Sequence, residues 1–297
     1  MGRALVNSVV LKRVTFFLFA ATIFVSAFLL FQVQPIMAKY ILPWFGGSPS
    51  VWTTCMLVFQ VLLFGGYAYA HALNRVMSLA NQIILHAILL VLALCTLPIT
   101  PTPDWKPLGA ESPTWMIMML LVCKVGAPYF LLSSTGPLLQ SWLGHSKTCE
   151  QPYRLYSLSH LGSMLALLSF PFLIEPMLSS TQQSTLWSLA FVVYVGLCLI
   201  SALVLYRSIE TKPLSNMAVD AVVRESLPRS TVGAWFALSM LPSVMLLATT
   251  NQVCLDTGVI PFLWVIPLAI YLLSFILTFD SERWYRRRPL IMLAMIS

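Results

Sequence analysis

Lys124 is the residue whose position most demands a partner. It stands nine residues past Trp115 in an apolar run, or ~14 Å along a helix rising 1.5 Å per residue. An ammonium at that depth costs roughly 2.5–3.5 kcal/mol on insertion scales, so it is expected to face other helices. Two partners fit it: an anionic ligand, for which it would be the counter-charge, or a structural carbonyl or carboxylate. Gln32 and Gln34 stand two apart in the first apolar run and so point in different directions on a helix. One of them lines a cavity while the other bonds a neighbouring helix, or both serve as interhelical glue. Lys124, Gln32 and Gln34 form the candidate substrate-binding set.

Other side chains invite chemistry and fall short of it. Ser133, Ser134 and Thr135 suggest a hydrolase, yet no G-x-S-x-G elbow surrounds them. Hydroxyls bonding to the preceding helical turn explain them. His71, His86, His145 and His160 show no metal-ligand spacing, and the six cysteines form no C-x-x-C pair. No catalytic residue, metal or cofactor is therefore expected. Gly46-Gly47-Ser48-Pro49-Ser50 reads as a turn. Ser50 is a candidate cap for the helix that comes next.

The elements that must hold these residues follow from composition. Of 297 residues, 59% are hydrophobic and 9% charged, against about 25% charge in soluble domains. So few charges cannot cover a water-soluble surface. The apolar runs are helix-length, ~20 residues, and lack the period-two alternation of a membrane barrel. The fold class is therefore an all-α polytopic membrane protein with the lipid bilayer as its partner. Eight spans are expected: Val14–Gln34, continuing past Pro35, then Val51–Leu73, Gln82–Leu97, Trp115–Leu138, Leu158–Leu173, Leu186–Tyr206, Val232–Ala248 and Phe262–Phe279. A truncated ninth begins at Pro289.

Charge placement predicts orientation. With the N-terminus in the cytoplasm, every one of the 17 basic residues except Lys39, Lys106 and Lys124 falls inside, as the positive-inside rule requires. The net charge of +7 is thus a topology signal and gives no reason to expect nucleic acid. The polar segment Arg207–Ser230 comes after span six on the same side. Residues 1–206 then form a six-helix membrane half, 207–231 a cytoplasmic linker, and 232–297 the start of a second half. Such a layout belongs to transporters built from two six-helix halves.

Several stretches resemble one family. They are Ala27 to Ile36, Gly46 to Trp52, Tyr67-Ala68-Tyr69-Ala70-His71, Ser133 to Gln140, Pro152 to Tyr156, Leu161-Gly162-Ser163, Ile174-Glu175-Pro176, Leu272 to Phe275 and Arg283 to Arg287. Together they resemble the bacterial fused major-facilitator/spermidine-synthase-like proteins, over nearly the whole chain. The resemblance implies a major-facilitator-like membrane body in the bacterial inner (plasma) membrane, joined to an aminopropyltransferase-like C-terminal domain. This chain ends inside an apolar run, so a fragment without that domain is expected. Where the family carries Ser-Asn in span five, this chain has Ser159-His160.

Two functions are compatible with this reading. One is a transporter-like domain binding or moving a small polar solute, with polyamines suggested by the resemblance. The other is a non-transporting anchor or scaffold for the C-terminal enzyme. The resemblance also bears on Lys39, Glu175 and Asp256, which end spans one, five and seven. In a major-facilitator layout spans one and seven meet near the outer face, with span five against span eight. The three residues would then form an outer charged cluster; the alternative is three independent charges snorkelling to the interface.

Overall fold

The computed structural model describes residues 2–107, 112–146, 153–210, 228–257 and 265–280, and all regular structure among them is helical. The helices are α1 (Gly2–Phe45), α2 (Pro49–Val76), α3 (Leu79–Ala93), α4 (Pro113–Leu121), α5 (Ala127–Ser146), α6 (Tyr153–Ser169), α7 (Glu175–Met177), α8 (Ser180–Glu210), α9 (Arg229–Thr257) and α10 (Val265–Asp280). The chain α4–α5 is continuous through a π turn at Val122–Gly126, and α6–α7 through another at Phe170–Ile174. Seven helical stretches are long and apolar enough to cross a membrane. Each covers one of the first seven expected spans, except that the third stops at Thr96, just short of Leu97. The eighth is represented by the shorter apolar helix Val265–Phe279, and the run from Pro289 lies outside the described residues. α8 continues to Glu210 and α9 begins at Arg229, so helix extends into the expected linker 207–231 from one side and up to its far end on the other.

Local chemistry accounts for the boundaries. α1 ends at Gly46, whose φ of 85° is natural for glycine and whose N–H returns to the Leu42 carbonyl at 2.9 Å. Ser48, not Ser50, caps α2: its hydroxyl accepts from the Val51 N–H at 3.4 Å. Pro49 takes the first helical position, where its missing N–H costs nothing, and this moves the start ahead of Ser50. The π turns also have a local cause. Each ends two residues before a proline, Pro128 in one case and Pro176 in the other. A proline cannot donate to the carbonyl four residues back, so the preceding turn widens. At the second turn the Glu175 N–H reaches back to the Phe170 carbonyl.

Successive spans reverse direction, so Arg13, Arg75, Arg154 and Arg207 share one end of the bundle and Lys39, Lys106 and Glu175 the other. α1 is the hub and packs on α5, α6 and α8. α2 packs on α4 and α5, α3 on α8 and α5, and α10 on α6. Two glycines permit the closest crossings. A Cβ on Gly162 of α6 would stand 2.8 Å from the Phe24 carbonyl of α1. One on Gly66 of α2 would stand 2.7 Å from the Phe130 carbonyl of α5 and overlap Ser133. Lipid tails are as apolar as leucine, so such close packing and interhelical hydrogen bonds, rather than water exclusion, hold helices together in a membrane.

α9 departs from expectation. Among the described residues its substantial packing is with α10, and any packing on α1, where the first and seventh spans were expected to meet, is slight. The physical reason is its surface. Apolar residues surround the helix on every side, and Ser239 bonds its own Phe236 carbonyl.

The glycine crossing carries a prediction. Gly162→Ala forces the α1 and α6 backbones apart and should cost about 1–3 kcal/mol. Gly136→Ala, where nothing lies within 4 Å, should leave stability unchanged or raise it. Thermal unfolding of both variants in detergent checks this.

Candidate functional site

The candidate residues divide along α1, because a polar side chain inside the bundle must bond whichever helix it faces. Gln32 faces α6 and is fully buried. Its amide donates to the Ala166 carbonyl at 2.8 Å and to the Ser169 hydroxyl at 3.0 Å, while its Oε1 accepts from nothing among the described residues. Gln34 faces α5 and is half-buried. Its amide donates to the Tyr129 hydroxyl at 3.0 Å. Pro35, next in the chain, withholds the usual bond from the Phe31 carbonyl and adds polarity at the same level.

Nearer the Lys39 end, α1 turns charged. Lys39 Nζ lies 2.7 Å from Glu175 Oε2, with the two side chains 25% and 35% exposed. That is shielded enough for the pair to keep more attraction than a surface ion pair. Gln183 of α8 fixes the carboxylate. Its amide donates to Glu175 Oε2 at 3.2 Å and to the Leu178 carbonyl at 2.9 Å. Beside the pair, Ser184 of α8 links the Tyr40 hydroxyl at 3.3 Å to that of Thr100 at 2.7 Å. The backbone of Asp256 lies in α9, while its side chain lies outside the described residues.

Lys124 stands apart from these groups. It sits in the π turn, half-buried, with Val125 and Gly126 taking the buried positions beside it. No hydrogen-bond or ion-pair partner reaches it among the described residues. The expectation of an inward, partnered lysine missed the π turn, which shifts the phase of the helix at that point.

The hydroxyl run forms no catalytic arrangement. Ser133 donates to the Phe130 carbonyl, and Ser134 and Thr135 to that of Leu131, each at 2.8 Å. Thr135 also bonds the Tyr194 hydroxyl of α8. Among the described residues no three His, Cys, Asp or Glu side chains gather.

Sequence reasoning overlooked a second polar network near the arginine end. Gln82 of α3 donates to the α2 carbonyl of Leu73 at 3.2 Å and to that of Met77 at 3.0 Å, and accepts from Trp142 Nε1 of α5 at 3.0 Å. One turn along α3, the buried His86 lies against the rings of Tyr69 and Trp142, each centroid 6.0 Å away. The available signal was the polar tip on each aromatic residue, which needs a partner wherever it is buried. Trp187 obeys the same rule and donates to the Leu29 carbonyl of α1 at 2.9 Å. His160 rests on Phe275 of α10, ring centroids 4.8 Å apart.

No protein-family model matches the chain, and no curated protein or solved structure matches it either.

The ion pair is testable by a double-mutant cycle. Lys39→Ala, Glu175→Ala and the double variant should show a coupling of about 1 kcal/mol in detergent unfolding, the upper end of the range for exposed pairs. Gln183→Leu, which frees the carboxylate to rotate, should reduce that coupling.

Proposed function

We propose that this chain is a transporter-like membrane domain of the fused major-facilitator/spermidine-synthase-like class, which binds or moves a small polar solute. The observation that carries the reading is the pattern of helix pairing. α6 crosses α1 at Gly162 with its Cα against the Phe24 carbonyl, and α2 crosses α5 at Gly66 against the Phe130 carbonyl. Exchanging the first three spans for the second three turns one crossing into the other. Inverted three-helix repeats within a six-helix half produce this relation. The pairing of α6 with α10 joins that half to the helices beyond the linker. It includes a bond from Ser157 to the Ile276 carbonyl at 3.4 Å. The arginines gathered at one end support a cytoplasmic N-terminus.

Gln34 is the best-placed solute ligand. It is half-buried on the hub helix, its amide is oriented by Tyr129, and its Oε1 accepts no bond among the described residues. A neutral acceptor there suits a solute rich in N–H or O–H donors. Polyamines, suggested by the sequence resemblance, are the first to test. One set of observations favours the anchor reading instead: Gln32, Lys39 and Glu175 are all engaged in bonds within the bundle.

Uptake of radiolabelled spermidine, putrescine and amino acids into liposomes holding the full-length protein separates the two. Accumulation above protein-free liposomes is expected, and Gln34→Leu should lower it about five- to tenfold by removing one hydrogen bond. A folded protein that moves none of these solutes would leave the anchor reading. Orientation is checked separately in cells, where Lys106→Cys should be labelled from outside and Lys147→Cys only after permeabilisation.

A further inference from the structure

We propose that the crevice between α3 and α5, with Lys124 at one end, is a binding site for an anionic phospholipid. One acyl chain would enter the crevice and the phosphate would bind the Lys124 ammonium. The crevice is lined by Leu89, Leu92 and Ala93 of α3 and by Ala127, Phe130 and Leu131 of α5, is open on one side, and offers about 180 Å³. At the ~30 Å³ that a water-sized group occupies in a liquid, this holds about six methylene groups. The wall offers almost no polar surface, so a polar solute would lose hydrogen bonds by entering, whereas a hydrocarbon chain would lose none. Leu92 and Ala127 are exposed on the outside of the bundle, so the opening meets lipid.

The charge lies where a headgroup would be. The segment Leu94–Thr96, which continues α3 from Ala93, packs against the π turn that holds Lys124. The crevice therefore ends beneath that turn. The span Pro113–Gly144 has 32 residues, or ~48 Å of helix, against a hydrocarbon core of ~30 Å. A centred span leaves ~9 Å beyond the core at each end, and Lys124 lies ~16 Å from Pro113. Its Cα is then ~7 Å inside the core boundary, a depth from which a lysine snorkels to the phosphate level. Lys124 has no protein partner among the described residues, and an anionic headgroup would supply one. The proposal does not depend on the solute reading, because neither the crevice nor Lys124 includes Gln34 or Tyr129.

The test uses the full chain in vesicles of nine parts phosphatidylcholine to one part phosphatidylglycerol. The phosphatidylglycerol carries a diazirine on one acyl chain, and adducts are mapped by peptide mass spectrometry. Adducts should concentrate on the peptides holding Leu89–Ala93 and Ala127–Leu131. Lys124→Met should lower that labelling about fivefold, the loss of one basic residue near an anionic surface. Ala93→Phe, which fills the crevice, should lower it with Lys124 intact. A diazirine diacylglycerol with the same chains should label the crevice as weakly as Lys124→Met does. Millimolar inorganic phosphate should not compete, because the chain anchors the headgroup. Labelling spread evenly over all lipid-facing helices would overturn the site. So would full crevice labelling in a Lys124→Met protein that unfolds at the wild-type temperature.

Discussion

A polar group inside a bilayer has no water to fall back on, and most of this structure answers that constraint. Apolar faces do not by themselves favour protein over lipid as a neighbour. What selects neighbours is the small set of polar side chains that bond across to an adjacent helix. α1 bears the largest share. Thr22 meets Ser201 of α8, Gln32 meets α6, Gln34 meets α5, and Lys39 meets Glu175 beyond α6. The bonds reach three neighbours, α8, α5 and the continuous α6–α7 that both Gln32 and Lys39 meet, so together they fix the rotation of α1 and the seating of those neighbours around it. α9 shows the converse: along its apolar length Ser239 bonds its own Phe236 carbonyl, and its substantial packing is with α10.

The same principle divides what was readable in the amino-acid sequence from what was not. Span positions depend on composition along the chain, which the sequence displays directly. The opposite directions of Gln32 and Gln34 depend on helical phase over two residues, which is also readable. Lys124 was misjudged because its facing depends on phase across a π turn, and one extra residue in a turn rotates everything after it. The cue lay in Pro128. Ser50 was preferred over Ser48 as a cap because Pro49 was taken for part of the turn instead of the first helical residue. Gly66 and Gly162 looked like any glycines in membrane helices, since only the crossing partner reveals why a side chain is excluded there.

The ion pair shows how a membrane protein holds charge near its surface. Lys39 and Glu175 sit at helix ends, where water still lends some solvation, and Gln183 adds a bond that takes up the carboxylate's second direction of demand. The amide thereby ties α8 to the α1–α7 contact. A change in the pair would be felt by three helices at once, which suits either a moving gate or a static clasp. The two differ only in whether the partners separate during the protein's working cycle.

The crossing at Gly66 has a consequence for synthesis. α2 and α6 belong to the less hydropathic half of the spans, and α1 to the most hydropathic. α6 emerges from the ribosome after its partner α1 is already in the bilayer, so it can dock on arrival. α2 emerges two spans before α5, the helix that its glycine was shaped to meet. During that interval its bare groove faces lipid or the insertion machinery. The first six spans therefore cannot assemble strictly in chain order. Their folding must hold one weakly hydrophobic helix in reserve until the fourth span is delivered.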